Sequence, residues 1–465
     1  MENSTKKSTN KKWIGVGAVA VICAGIILSG KFLGKEAETS VVDSEGTEIA
    51  KLVWKDGGIH YECETGYEDY VDLACQEAIS ALSKAENLKK SKAGEKLVKE
   101  QYVIKTAFES NAFEALKKGG SQISVTDKDS MAMALSDGKG NLIAAYTESS
   151  DESVNRLLDR TYAGSTIKPL STYGPAIEDD AVTWSTLYAD SPFEETKDDA
   201  GNTEPWPANV EEFTNQKETV AQALCESNNA ITVKILNDYG LDKSCTYLED
   251  ILGMDVTAEK KLIEKDEDGY RKELLSSLGM GYLDKGVTIK EMLEDYQAFS
   301  QSGMRYELTA LKSLEDKDGN LVYEKEEKTD QIFSEDTAYI MNRMLRGVVE
   351  EGTAKSAQID GVDVCGKTGT SENYRDNWFI GMTPEYTCAV WYSSNDGERI
   401  QNASLLAFHD AIEELSPDQS SAYPVSDDVV EKEYCEKTGL LAGKNCQSVK
   451  RGYYKKDELP ETCTE

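Results

Sequence analysis

The chain has 465 residues, enough for roughly three domains of ordinary size. It carries 51 Lys and Arg against 85 Asp and Glu, a formal net charge of −34. That balance argues against nucleic acid or any other polyanion as partner, since nothing would offset phosphate repulsion. A hydrophobic content of 39% with 23 Tyr argues against a disordered acidic chain. There are only two His, His60 and His409. A Ser-His-Asp triad, a His-rich metal centre or a His general base would each have to draw on that pair.

Residues 1–12 contain Lys6, Lys7, Lys11 and Lys12 and read as a short cytoplasmic tail. Trp13 to Gly30 is uncharged, and as a helix it would rise about 27 Å, close to the hydrocarbon thickness of a bilayer. Phe32 and Leu33 extend the apolar face if Lys31 snorkels. The expectation is one transmembrane helix over 13–33. Acids Glu36, Glu38, Asp43, Glu45 and Glu48 follow it, so the lysine bias places the N-terminus in the cytoplasm and the bulk of the chain outside a cell membrane crossed once. No small-x-small cleavage site suggests a signal peptide, and Ile22 before Cys23 argues against a lipoprotein signal.

Residues 34–120 read as a stalk or pedestal. Its first part is acidic, with one strand expected at Ile49–Trp54. Tyr70, Leu73, Ala74, Ala78 and Leu82 then recur at helical spacing. A second helix is expected from about Glu95 to Lys118, ended by Gly119-Gly120. A hairpin follows, Met131–Leu135 and Asn141–Tyr146 around a Ser-Asp-Gly-Lys-Gly turn. Helices are expected near 165–178, 219–239 and 288–302. A second hairpin pairs Asn377–Met382 with Thr387–Tyr392, and Ala403–Leu415 reads as a last helix. Strands at both ends with helices between imply one sheet assembled from both termini of a domain spanning 121–430. Residues 431–465 form a cysteine-containing extension.

Three short motifs stand in order: Ser165-Thr-Ile-Lys168, Ser227-Asn-Asn229 and Lys367-Thr368-Gly369-Thr370. Ser165 and Lys168, three apart on a helix, share a face. A hydroxyl needs a base to become a nucleophile. With so little His, a lysine whose pKa is depressed by burial or a neighbouring cation is the candidate base, and Lys367 could be that cation. At a helix N-terminus Ser165 also gains a positive local field and a free N–H. Each motif alone is common by chance; the three in this order and context are not. Lys367-Thr-Gly-Thr precedes a hairpin, where an edge strand could bind an extended peptide.

With these motifs, Gly164 to Leu170 followed by Tyr173-Gly-Pro-Ala-Ile177, Trp206-Pro-Ala-Asn209, Val220–Leu224, Leu345-Arg-Gly-Val-Val349, Gly352-Thr-Ala, Asp376–Gly381 and Thr383-Pro384 resemble the penicillin-binding transpeptidase domain, close to its class A branch. The resemblance implies an α/β (α+β) fold: an antiparallel sheet flanked by helices with an all-helical subdomain, as in the serine β-lactamases. It implies that Ser165 is acylated by D-Ala-D-Ala stem peptides of peptidoglycan or by β-lactams. Lys168 would be the general base, Ser227 would relay a proton to the leaving group, and Asn229 would hold the substrate amide and orient Lys168. The Lys367-Thr368-Gly369-Thr370 strand would bind substrate, its carboxylate received by Lys367, Thr368 and Thr370. The N–H groups of Ser165 and Thr370 would form the oxyanion hole.

Class A members place a glycosyltransferase domain between anchor and transpeptidase. The stretch here is far shorter and has no Glu-Asp-x-x-Phe-x-x-His pattern. A monofunctional transpeptidase is therefore expected, with a separate glycosyltransferase as partner. D,D-carboxypeptidase, β-lactamase and a penicillin-sensing receptor are the alternatives. The Glu-x-x-x-Asn pair that serves deacylation in class A β-lactamases follows Ser-x-Asn. Its match here, Glu211 and Asn215, precedes Ser227.

Cofactors and metals are not expected. Among ten Cys there is no C-x-x-C, which argues against zinc. A disulfide is possible within the tail among Cys435, Cys446 and Cys463, or between Cys63 and Cys75. Cys225 and Cys365 adjoin the motifs but read as core packing, and His409 is given no catalytic role.

Overall fold

The computed structural model describes residues 12–16 and 37–464, apart from 124, 127, 150–152, 198–200, 266–269, 372–374 and 395–401. The pedestal begins with β1 (Lys12–Val16), β2 (Glu38–Val42), β3 (Glu48–Lys55) and β4 (Gly58–Cys63), an antiparallel succession in which β1 lies on the outer edge of β4. Trp13–Val16 was expected to open a transmembrane helix and is instead strand. Its β-branched and aromatic residues favour extended backbone, and β4 offers a free edge. Residues 17–33 of that expected helix lie outside the described residues, and no described helix is long and apolar enough to cross a membrane.

Next come α1 (Glu68–Ala85), α2 (Lys90–Lys99), β5 (Val103–Thr106) and α3 (Ser110–Gly120). The α1 stripe of Tyr70, Leu73, Ala74, Ala78 and Leu82 is buried, as its spacing requires. The single helix expected over about 95–118 is not formed. Val103–Thr106 adds in parallel to the open edge of β2, and Gln101, at φ 58, turns the chain out of α2. A β-branched run with a strand edge beside it outweighs helix periodicity.

The region that follows contains β6 (Asp129–Ser136) and β7 (Leu142–Ser149), then helices α4 (Val220–Cys225), α5 (Asn229–Tyr239), α6 (Arg271–Met280) and α7 (Ile289–Tyr296). These are followed by β8 (Leu311–Glu315), β9 (Leu321–Glu324), α8 (Glu335–Glu350), β10 (Cys365–Thr370), β11 (Asp376–Met382), β12 (Thr387–Ser394) and α9 (Ala403–Leu415). Strands β10-β11-β12-β6-β7 form an antiparallel sheet in that order, so strands from both ends of the region do meet in one sheet. All eight residues of β12 are buried, which requires cover on both faces. α3 and α9 pack together on this sheet, and α7 lies against β12 and β6. Phe408 of α9 meets Phe379 with ring centroids 4.9 Å apart. Contact of α3 with α9 is so close that a Cβ on Gly119 would stand 2.2 Å from Ala407 O.

Strands pair across the boundary expected near residue 120: β8 pairs with β5, and β9 with β8, so the sheet that begins with β1 to β4 runs on past it. Glu77 of α1 accepts the N–H groups of Ala310 and Leu311, both at 2.9 Å, and Tyr70 OH donates to Leu142 O at 2.9 Å. The C-terminal extension is a hairpin, β13 (Val429–Cys435) and β14 (Val449–Lys455). It is docked on the helix that follows Ser165: Lys455 Nζ donates to Ile177 O and Glu178 O at 2.9 and 3.0 Å.

Candidate active site

Ser165 opens a helical run that starts as a 3-10 turn (Gly164–Ile167), widens to a π-type turn (Pro169–Tyr173) and becomes regular only at Gly174–Glu178. Pro169 has no N–H to give the ladder, and π-type turns recur at functional sites. Gly164 has φ +54, and a Cβ there would lie 2.7 Å from Thr370 O and 2.9 Å from Thr370 N. On its other side, a Cβ on Gly281 (φ +82), just past α6, would lie 2.2 Å from Gly164 O. Glycine at these two positions lets three backbones touch, and the Thr370 N–H is thereby brought beside Ser165. A Cβ on Gly369 would similarly meet Ala163 O at 2.6 Å.

Ser165 is half-buried, whereas Lys168 is 0% exposed. Lys168 Nζ donates to Asn229 Oδ1 at 2.7 Å, to Ser227 O at 2.8 Å and to Ser227 Oγ at 3.4 Å. Burial, and then the Lys367 cation, push its pKa well below the ordinary lysine value. No hydrogen bond joins it directly to Ser165 Oγ among the described residues. Lys367, on β10 and also 0% exposed, donates from Nζ to Ser227 Oγ at 2.8 Å and to Thr368 O at 3.0 Å. Burial lowers its pKa to about 7. The Ser227 hydroxyl therefore stands between two buried lysines.

The expected helix over 219–239 is interrupted at Ser227, whose φ is +58. Asn228 then caps α5, its Oδ1 accepting Ile231 N–H at 2.9 Å. The break turns Ser227 and Asn229 toward the lysines, and a continuous helix could not present both. An element that sequence reasoning overlooked holds this loop. Asp190 Oδ1 accepts from Asn228 Nδ2 at 2.8 Å and from Asn209 Nδ2 at 2.9 Å, while its Oδ2 accepts Thr214 N–H at 2.6 Å. Asn209 Oδ1 in turn accepts Asn229 N–H at 3.0 Å. Burial raises the Asp190 pKa, but these hydrogen bonds outweigh it and hold the carboxyl below its usual value. Nothing in the spacing around Asp190 signalled this role; only Asn209, in the Trp206–Asn209 segment, stood in a recognised context. Asp190→Ala is expected to destabilise the protein by roughly 1–3 kcal/mol by leaving buried donors unpaired. Thermal unfolding measures the effect.

β10 carries the remaining residues. Thr368 Oγ1 shares a 2.7 Å hydrogen bond with Thr353 Oγ1, and Thr370 pairs with Asn377 in register. Beyond the strand, Asp376 accepts from Ser371, Thr161 and the Trp391 indole at 2.8, 3.0 and 3.1 Å. These residues help line an open cavity of about 750 Å³ bordered by Arg156, Arg160, Tyr162 and Tyr282, and none of the eight expected site residues lines it. The lysine hydrogen bonds and the Gly164–Thr370 and Gly369–Ala163 approaches bring those eight, from Ser165 to Thr370, to one locality. His60 and His409 lie elsewhere, the first on β4 and the second on α9. Cys225 and Cys365 are buried thiols raised to about 11 and about 12 by burial, in keeping with a packing role. Cys63 and Cys75 are buried free thiols, not a disulfide. A Cys75 thiol held in the apolar stripe of α1 packs as a small hydrophobe. The three tail cysteines are likewise free thiols.

A family model described as the penicillin binding protein transpeptidase domain matches residues 130–407. Penicillin-binding protein 1F of Bacillus subtilis is 29% identical over 378 residues, covering 78% of this chain and 47% of that protein. Penicillin-binding protein 1A of Clostridium botulinum (strain Langeland) is 32% identical over 256 residues, covering 53% of this chain and 29% of that protein. The chain thus spans about half the length of these relatives or less. Among solved structures, the D,D-transpeptidase domain of a peptidoglycan glycosyltransferase from Eggerthella lenta superposes with TM-score 0.61 at 20% identity, covering 82% of this chain and 98% of that one. The PonA1 protein of Mycobacterium tuberculosis, in complex with penicillin V, gives TM-score 0.60 at 15% identity, over 77% and 96%. At such identities the structures speak for the fold alone. The match over 130–407, with the three motifs brought to one locality on this fold, makes the chain a member of the penicillin-binding protein transpeptidase family.

Proposed function

We propose that the protein is a serine D,D-transpeptidase that forms an acyl-enzyme with D-Ala-D-Ala stem peptides, and with β-lactams, in cross-linking peptidoglycan. The observation that carries this reading is the convergence of two fully buried lysines on Ser227 Oγ. A neutral Lys168 takes the proton of Ser165 as Oγ attacks the penultimate D-Ala carbonyl. The developing oxyanion is received by the N–H groups of Ser165 and Thr370. Ser227 passes a proton to the departing D-Ala amine and is resupplied by the lysine pair. Lys367, Thr368 and Thr370 hold the terminal carboxylate along the Thr370 edge of β10, and Asn229 both orients Lys168 and binds the substrate amide. An N-terminal membrane anchor in the uncharged stretch after β1 would keep this site outside the cell at the bilayer surface, a reading supported by the flanking lysines.

Two measurements test the assignment. Deacylation needs a base aimed at water on the acyl-serine, and Glu211, which has the spacing of such a base, is exposed and precedes Ser227 in the chain. The penicilloyl adduct is therefore expected to survive for minutes or longer after excess penicillin is removed, and a D-amino acid acceptor should shorten its life. Complete turnover within seconds in plain buffer, followed by intact mass, would favour a β-lactamase and refute the transpeptidase reading. Lys367→Ala should raise the acylation barrier by roughly 1–3 kcal/mol, the magnitude of a hydrogen bond to a charged group. An unchanged rate would remove Lys367 from the site.

A further inference from the structure

The C-terminal hairpin brings together three cysteines that are distant in sequence. Cys435 ends β13, Cys446 sits in the connecting turn, and Cys463 lies on the tail that returns beneath them. Their three sulfurs all lie within 4.8 Å of one another. Cys435 and Cys463 are buried and Cys446 is half-buried, so the cluster has one side open.

The surrounding backbone is shaped for this grouping. Gly443 N–H donates to Cys446 Sγ at 3.2 Å, and the Thr438 and Gly439 N–H groups close the turn on Cys435 O at 3.2 and 2.8 Å. Gly443 has no side chain at a point where a Cβ would stand 2.1 Å from Cys463 O, so the turn can lie on the tail. Leu441 N–H donates to Glu461 O at 2.9 Å and Cys463 N–H to Leu441 O at 2.8 Å, which fixes the tail in register with the turn.

Thiolates around a tetrahedral zinc stand at about 2.3 Å from the metal, hence about 3.8 Å from one another. The sulfurs need to close by no more than about 1 Å to reach that value, and the Gly443 N–H donor to Cys446 Sγ favours the thiolate that a metal requires. A disulfide would use two sulfurs and leave the third without a function. We propose that Cys435, Cys446 and Cys463 bind one Zn2+ ion through three thiolates, with a solvent molecule in the fourth, open position. Each thiol gives up its proton to solvent on binding, so affinity rises with pH.

Such an ion would tie the turn and the tail to the end of β13. That hairpin grips the domain at Ser185: Ser185 Oγ donates to Gly439 O at 2.6 Å, and Tyr454 OH donates to Ser185 Oγ at 2.8 Å. The ion acts on the hairpin and does not enter the acyl-transfer site.

The test uses the full chain, purified under reducing conditions and titrated with Zn2+ against a chromophoric chelator, and separately with Co2+ as a spectroscopic probe. Expected results are one Zn2+ per chain, intense thiolate-to-cobalt charge-transfer absorption, a melting temperature raised by Zn2+, and three thiols shielded from alkylation until chelator is added. Cys446→Ser, at the half-buried position, should keep the fold and penicillin labelling while losing roughly 100-fold or more in Zn2+ affinity. Cys463→Ser provides a second variant with the same expected loss. Failure of the reduced chain to retain Zn2+, or wild-type Zn2+ affinity in both variants, would overturn the proposal. So would a disulfide between two of the three cysteines that forms in preference to metal binding when Zn2+ is present.

Discussion

Ser165→Ala is expected to abolish covalent labelling by a fluorescent penicillin altogether. Among the described residues Ser165 is the one hydroxyl that stands at the start of a helical run, next to the Gly164 that touches Thr370, with a buried lysine three residues on. No bond to an acyl group can form without it, so the effect is all-or-none in the labelled product. The substitution removes a half-buried hydroxyl, and stability should change by no more than about 0.5 kcal/mol. Peptide mapping should find the adduct of the wild-type protein on the segment containing Ser165. Labelling that persists undiminished in the variant would assign the chemistry to another residue.

Lys168→Met has the second largest expected effect. General-base catalysis by a positioned group contributes about 10²- to 10⁴-fold, or roughly 3–5 kcal/mol of barrier. Met retains most of the buried volume, whereas Ala would add a cavity to the loss of the amine. The variant also leaves Ser227 O and Asn229 Oδ1 without their donor, so thermal unfolding should be recorded beside single-turnover acylation. A variant that stays folded yet acylates at the wild-type rate would exclude Lys168 as the base.

The two lysines also set a pH profile. Lys168 acts in its deprotonated form, so acylation should rise with pH through its depressed pKa, a shift caused first by burial and then by Lys367. Lys367 acts in its protonated form, and burial brings its pKa to about 7. Loss of that proton should make acylation fall again above about pH 7. A bell-shaped acylation rate for the free enzyme follows. A rate independent of pH from 5 to 9 would contradict the assigned roles.

Much of the site was legible in the sequence because its chemistry is written in short, local patterns. Ser165 and Lys168 share a face by spacing alone, and the scarcity of His made a lysine base the natural candidate. The hairpins around Asp137-Gly138 and Thr383-Pro384, and helix Ala403–Leu415, rest on turn chemistry and hydrophobic period, which act over a few residues.

Long-range pairing decided the rest. Val103–Thr106 became a strand because β2 offered it an edge, and the first sheet ran on past residue 120 because β8 found β5 more than 200 residues away. Ser227 broke its helix because Asp190, Asn209 and Thr214 hold the loop from outside it. The buried state of Lys168 and Lys367, and with it their lowered pKa values, exists only once β10, the Ser165 turn and the Ser227 loop close on one another. The meeting of Cys435, Cys446 and Cys463 likewise depends on a tail laid across a turn. The sequence by itself determined which groups could do chemistry. Only the tertiary structure decided their solvation and their partners, because desolvation and hydrogen-bond geometry depend on segments far apart in the chain.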